Sequence, residues 1–160
     1  MKKLFIDMDI CEKCPQCVVE CDYYYHPDNV GIIYLRELIS FALYCRRCEE
    51  APCINSCPRD ALFKKEEKMV RRSTYLCISC YSCVNACPFG TIYHETTPYL
   101  TSRCDYCVDR SNGRKPVCVD SCPYGALNWK EGEEDEEKEL FSLGERLLVH
   151  IKKWRKDLVK

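Results

Sequence analysis

Sixteen of the 160 residues are cysteine, and they fall into four groups of four with none left over. The first group is Cys11, Cys14, Cys17 and Cys21 in CEKCPQCVVEC, and the second is Cys45, Cys48, Cys53 and Cys57 in CRRCEEAPCINSC. The third is Cys77, Cys80, Cys83 and Cys87 in CISCYSCVNAC, and the fourth is the longer stretch holding Cys104, Cys107, Cys118 and Cys122. Thiols this dense have three chemical uses: disulfide bridges, a closed tetrahedral zinc site, or a polynuclear metal cluster.

Spacing separates the three. Groups one and three read C-x2-C-x2-C-x3-C, the pattern by which bacterial ferredoxins grip a [4Fe-4S] cube, and group three runs on into Pro88. Groups two and four keep the leading C-x2-C and the C-x3-C-P ending around a longer loop. Structural zinc joins two separated pairs, which these crowded groups do not provide. In an iron–sulfur site three thiolates of one tight loop cap three iron corners. The fourth, beyond a short helical turn and a proline, points away and ligates a different cluster. The groups must then work in pairs.

The connecting segments indicate the pairs. Between Cys57 and Cys77, ALF and MVRR read as two strands around the charged turn KKEEK, so groups two and three form one lobe. Groups one and four form the other, edged by the strands KLFIDMD before Cys11 and GALNWKE after Cys122. The expected fold is α+β: an inner ferredoxin-like lobe over residues 45–87 inserted into an outer one over residues 1–44 and 88–130. Four [4Fe-4S] clusters follow. In the outer lobe one takes Cys11, Cys14, Cys17 and Cys122, and its neighbour takes Cys104, Cys107, Cys118 and Cys21. In the inner lobe one takes Cys45, Cys48, Cys53 and Cys87, the other Cys77, Cys80, Cys83 and Cys57.

These segments resemble the four-cluster iron–sulfur subunits that accompany molybdenum or tungsten oxidoreductases, such as dimethyl sulfoxide reductases, formate dehydrogenases and tungsten aldehyde oxidoreductases. The resemblance spans roughly residues 3–130 and rests on the order and spacing of all sixteen cysteines. It implies a relay passing single electrons between a catalytic subunit and a second carrier, with the same pairing of groups. Hydrogenases, carbon monoxide dehydrogenase and free polyferredoxins use similar relays and remain alternatives, with a zinc-binding regulatory module as the distant one. Two departures stand out: the family's glycine before the second cysteine is Lys13 in group one and Ser79 in group three, and Asp22 replaces proline after Cys21.

Other function classes are poorly served. No glycine-rich nucleotide loop or nucleophile elbow is present, and a cysteine nucleophile is excluded if all sixteen are ligands, so the chain itself is expected to catalyse nothing. The formal charge of −1 counts thiols as neutral; with four clusters bound it falls to roughly −9, which disfavours nucleic acid. His26, His94 and His150 read as ordinary histidines, because no cysteine set has a vacancy. The tyrosines read as packing. Arg46, Arg47, Lys64, Lys65, Arg71, Arg72 and Arg103 could offset cluster charge or dock a partner, and a solvated face explains most of them at least as well.

At the amino terminus, MKKLFIDMDI lacks a secretory core, and VGIIYLRELISFALY is broken by Arg36 and Glu37, so neither export nor a membrane span is expected. A cytoplasmic, reducing setting follows. Residues 131–160 open with the acidic run EGEEDEEKE. Leu140, Leu143, Leu147, Leu148, Ile151, Trp154 and Leu158 then recur at three- and four-residue steps, which predicts an acidic linker and a C-terminal amphipathic helix. That helix would cover the chain's own lobes or a catalytic subunit, or else lie on a membrane surface through Lys152, Lys153, Arg155 and Lys156.

Overall fold

In a computed structural model of the chain, the described residues are 1–22, 31–65, 68–97, 103–108 and 112–152. They group into two units, one formed by Met1–Ile32 with Cys104–Lys160 and the other by Ile33–Arg103. Short helices and small sheets are mixed throughout, as an α+β ferredoxin-like chain requires.

The first unit is organised by β1, Lys3–Asp7, whose alternating pattern buries Leu4 and Ile6. It pairs antiparallel with β4, Leu127–Lys130, placing Lys3 opposite Lys130 and Ile6 opposite Leu127. These are the two edge segments that the sequence singled out. Directly after β1, Asp7 caps the short helix α1, Met8–Cys11, by accepting a hydrogen bond from the Ile10 amide at 3.3 Å. Cys11 thus closes a helix that the sheet holds in place. A further short helix, α5, Val117–Ser121, precedes β4.

The expected C-terminal helix is corrected by this unit. Leu140–Leu143 forms β5 and Leu147–His150 forms β6, joined through Gly144 at φ +72°. β6 lies parallel to β1 and antiparallel to β5, giving the sheet order β4-β1-β6-β5. The reason is burial: Leu147, Leu148 and Val149 are all fully enclosed. A strand paired on both edges and covered on both faces takes a continuous apolar run, whereas a helix would turn one of those residues to solvent. Leucines at 140, 143 and 147 fit the helical period, the run Leu147, Leu148 and Val149 fits a doubly covered strand, and Gly144, comfortable in a left-handed turn, favours the hairpin. Trp154 and Leu158 lie outside the described residues. The acidic stretch ends in a turn in which the Asp135 carboxylate accepts from the Glu137 and Lys138 amides and sits 2.7 Å from the Lys138 ammonium.

The second unit contains the helix α2, Gly31–Ile39, from its third residue on, continued by a π-helical turn, Ser40–Tyr44, all of whose residues are buried. The strands β2, Leu62–Lys64, and β3, Val70–Arg72, form the expected antiparallel hairpin, with Leu62 opposite Arg72. Helices α3, Pro52–Asn55, and α4, Ser82–Ala86, carry Cys53 and Cys83. Phe41, Cys53, Leu62, Val70 and Ile92 form the core beneath them, with Cys45, Cys83 and Cys87 packed against it. The core is therefore small and lined with thiols. Among the described residues no helix is long and apolar enough to cross a membrane.

Candidate metal centres

Each leading C-x2-C pair needs its first sulfur held while the chain doubles back. In groups two, three and four the residue before the second cysteine is left-handed: Arg47 at φ +54°, Ser79 at +52° and Tyr106 at +57°. This turn directs an amide onto the first sulfur, Ser79 N to Cys77 Sγ at 3.4 Å and Tyr106 N to Cys104 Sγ at 3.4 Å, and the Arg47 amide does the same for Cys45. A side chain in that region costs roughly 1–2 kcal/mol. Strain repeated at the same step of three loops points to a function for the loops.

The second half of each of these groups also repeats. Cys53 and Cys83 sit on helices entered through left-handed Ala51 and Tyr81, and Cys118 sits on α5 after Pro116. Each helix gives way to a cysteine followed by proline, and a tight turn comes next. Asp60, Gly90 and Gly125 have positive φ, and their amides reach back to the carbonyls of Cys57, Cys87 and Cys122 at 3.5, 3.3 and 3.4 Å. The two residues after each turn, Ala61 with Leu62, Thr91 with Ile92 and Ala126 with Leu127, are buried and anchor the fourth cysteine.

Thiols of different groups lie near enough to interact. Cys45 interacts electrostatically with Cys48 and Cys87, and Cys53 with Cys45 and Cys87. Cys83 interacts with Cys77 and Cys57. In the first unit Cys118 interacts with Cys104, Cys107 and Cys21. Burial, helped by the neighbouring thiols, pushes Cys53 up to about 11 and Cys104 and Cys118 up to about 12. Cys45 and Cys83 rise for the same reason. Against its own burial, Cys87 is lowered by the Thr91 hydroxyl, 3.4 Å away, and by the amides of Thr91, Phe89 and Gly90. Cys80, at the surface, is lowered by the Ser82 hydroxyl and amide. Thiolates crowded like this repel one another unless a cationic core lies between them, and amides aimed at sulfur suit such a core. The donor sets therefore fit iron–sulfur ligation.

Group one is built differently. Cys11 is buried at the end of α1, and Cys14 and Cys17 are half-buried. The Cys14 amide donates to the Cys11 carbonyl at 3.3 Å, and among the described residues from Cys11 to Asp22 none is left-handed. Cys122, assigned with them by spacing, follows α5. Behind the fourth group, the α carbon of Gly31 packs so closely that an added methyl would lie 3.2 Å from Cys104 Cβ.

The sequence did not single out Arg72 among the basic residues, nor its partner Glu37, nor the group of Asp7, Asp9 and His150. Arg72 is almost wholly enclosed and pairs with Glu37, Nε to Oε1 at 2.6 Å and Nη2 to Oε2 at 2.8 Å. The available signal was strand alternation: Arg72 shares a face of β3 with buried Val70. Lys64, by contrast, remains exposed and reaches the Glu49 carbonyl. His94 stacks on Tyr81, with ring centroids 4.3 Å apart. His150 Nδ1 lies 3.3 Å from Asp7, whose carboxylate and that of Asp9 sit within 4.8 Å of the imidazole nitrogen. Lys152 supplies the positive charge there, 3.4 Å from Asp9. His26 lies outside the described residues.

Comparison with known proteins agrees with this chemistry. A family model described as a 4Fe-4S dicluster domain matches residues 36–132. The B subunit of anaerobic dimethyl sulfoxide reductase from Escherichia coli (strain K12) is 34% identical over 148 residues, covering 78% of this chain and 71% of the relative. YnfG of the same strain, a probable anaerobic dimethyl sulfoxide reductase subunit, is 30% identical over 154 residues, covering 84% and 75%. Thiosulfate reductase electron transfer subunit PhsB of Salmonella typhi is 36% identical over 94 residues, covering 58% and 49%. The domain match takes in groups two, three and four, and the alignment with the first of these relatives extends over most of the chain, so this protein belongs to the 4Fe-4S dicluster domain family of iron–sulfur subunits.

Proposed function

We propose that this chain is the electron-transfer subunit of an oxidoreductase complex and carries four [4Fe-4S] clusters, relaying single electrons between a molybdenum or tungsten catalytic subunit and a second carrier. The chain itself is not the catalyst; substrate chemistry belongs to another polypeptide. The observation that carries the reading is the electrostatic interaction of thiols across groups: Cys87 with Cys45 and Cys53, Cys57 with Cys83, and Cys21 with Cys118. By the same logic Cys122 completes the set of Cys11, Cys14 and Cys17. Each cluster, when bound, alternates between adjacent charge states and so accepts and passes on one electron.

The protein's own work is to hold and tune. Backbone amides at Arg47, Ser79 and Tyr106 and the hydroxyl of Thr91 donate to ligand sulfur, which stabilises negative charge there. Burial around Cys104 and Cys118 opposes that charge. Potentials can thus differ from one centre to the next within a single fold. The reading also requires every thiol to be kept from oxidation, which suits a reducing, cytoplasmic compartment.

Anaerobic purification tests the proposal. Brown protein with about sixteen iron and sixteen sulfide per chain is expected, co-eluting with a large subunit that contains molybdenum or tungsten. Colourless, zinc-loaded protein would overturn it. A nickel-containing partner would move the chain to the hydrogenase or carbon monoxide dehydrogenase alternative, and a loaded chain that elutes alone would make it a free polyferredoxin.

A further inference from the structure

Arg72 and Glu37 form a bidentate ion pair in the second unit, with side chains only 1% and 7% exposed. A buried pair of this kind gains little net stability, because the loss of hydration offsets the attraction. Its position suggests another use. Arg72 lines a concavity together with Cys57, Cys77, Cys80 and Cys83, the set assigned to one cluster. Glu37 engages one edge of the planar guanidinium, which has five donors in all. On the same concavity the guanidinium interacts with the sulfur of Cys77. The Ser79 amide also reaches that sulfur, at 3.4 Å.

We infer that Arg72, held by Glu37, is a positioning residue that raises the reduction potential of the centre built from Cys57, Cys77, Cys80 and Cys83. The inference rests on the cluster reading above. One electron entering that centre adds one negative charge, part of it borne by the Cys77 sulfur, and no bond is made or broken. A buried cation beside that sulfur favours the more negative state, since the attraction strengthens as the sulfur gains charge. Burial keeps water from screening the effect. Arg59, which lines the same concavity, is exposed and contributes far less. Glu37 has two opposed effects: it orients the guanidinium, and it cancels part of its field.

Those opposed effects make the sign of the response diagnostic. Full-length protein, with its partner where the complex is stable, is titrated anaerobically with dithionite and mediators while reduction is followed by electron paramagnetic resonance. With Arg72→Gln, the reduction equilibrium of one centre is expected to fall at least tenfold, which is about 59 mV for a one-electron couple, and the other centres stay in place. With Glu37→Gln, whose amide oxygen still accepts from the guanidinium and so keeps it oriented, the same centre moves the other way, because the cation is no longer offset. The double variant falls less than Arg72→Gln, since no unpaired carboxylate is left, and Arg72→Lys recovers part of the loss. A purely structural role would move Arg72→Gln and Glu37→Gln in the same direction or broaden every signal, and either result overturns the inference. Intact clusters with unmoved midpoints overturn it as well. If Arg72→Gln fails to retain the centre, the Glu37→Gln shift decides the matter. A wild-type chain without any iron–sulfur signal would instead refute the cluster reading on which this rests.

Discussion

The loops that begin at Cys77 and at Cys11 have the same cysteine spacing and different backbones. At Cys77 two left-handed residues, Ser79 and Tyr81, fold the chain back, an amide lands on the first sulfur, and a helix carries the third cysteine. At Cys11 a helix ends, and Cys14 continues the helical turn with an amide directed to a carbonyl rather than to sulfur. Cys87 leads into a proline and a glycine turn, whereas Cys21 leads into Asp22. Spacing therefore counts the ligands, while positive-φ residues and the terminal proline decide how the sulfurs are presented.

The two loop types should differ most visibly at their fourth cysteines. Cys87→Ala should remove the centre of group two, not group three, and Cys21→Ala that of group four, not group one. Each variant should lose about four iron per chain, and Mössbauer or paramagnetic resonance spectra identify which signal goes. Loss of the centre in the variant's own group would show that no exchange occurs.

The next largest effect concerns the sheet that supports Cys11. Leu148 is fully buried in β6, so Leu148→Ala should cost about 2–5 kcal/mol, read by urea unfolding. Phe63, 44% exposed in the hairpin of the second unit, should tolerate the same change with little loss. Comparable costs at both positions would contradict the burial described here.

Alkali should separate the two units in metal-free protein. Cys104 and Cys118 in the first unit are pushed from 9.0 to about 12. Between those values the folded thiols keep protons that the unfolded chain has lost, so the folded state binds more protons and stability falls as pH rises. Their contribution is complete below pH 9 and gone above about 12. In the second unit, the lowered Cys80 and Cys87 oppose the raised Cys45, Cys53 and Cys83. Urea midpoints at pH 8 and 11 should therefore drop more for the first unit.

The smallest effect concerns the backbone itself. Asp60 is left-handed where the matching positions carry Gly90 and Gly125, so Asp60→Gly should gain about 1 kcal/mol. Lys13→Gly, at the family's glycine position but with an ordinary backbone, should lose roughly 0.5–1 kcal/mol. Thermal denaturation of both variants checks the opposite signs.

Much of this was legible from residue order. Alternating apolar residues marked β1 and β4, and the ALF and MVRR segments marked the hairpin, because in both cases the pattern fits one period only. LFSLGERLLVH fits two periods, and the choice between them depends on β1, a partner near the opposite end of the sequence that no local window contains. Arg72 escaped for a related reason. It stood among seven cations that could offset cluster charge or form a solvated face, and what sets it apart depends on Glu37, a residue in a different element.

The placement of β6 beside β1 bears on how the chain is made. β1 is synthesised before the second unit, yet both of its sheet neighbours, residues 127–130 and 147–150, emerge only after that unit is complete. The second unit uses one uninterrupted stretch and can close while those strands are still untranslated. Long-range pairing of this kind is slow to form. A nascent chain that has exposed residues 33–103 but not yet residues 127–150 would accordingly display a closed second unit beside an unfinished first one.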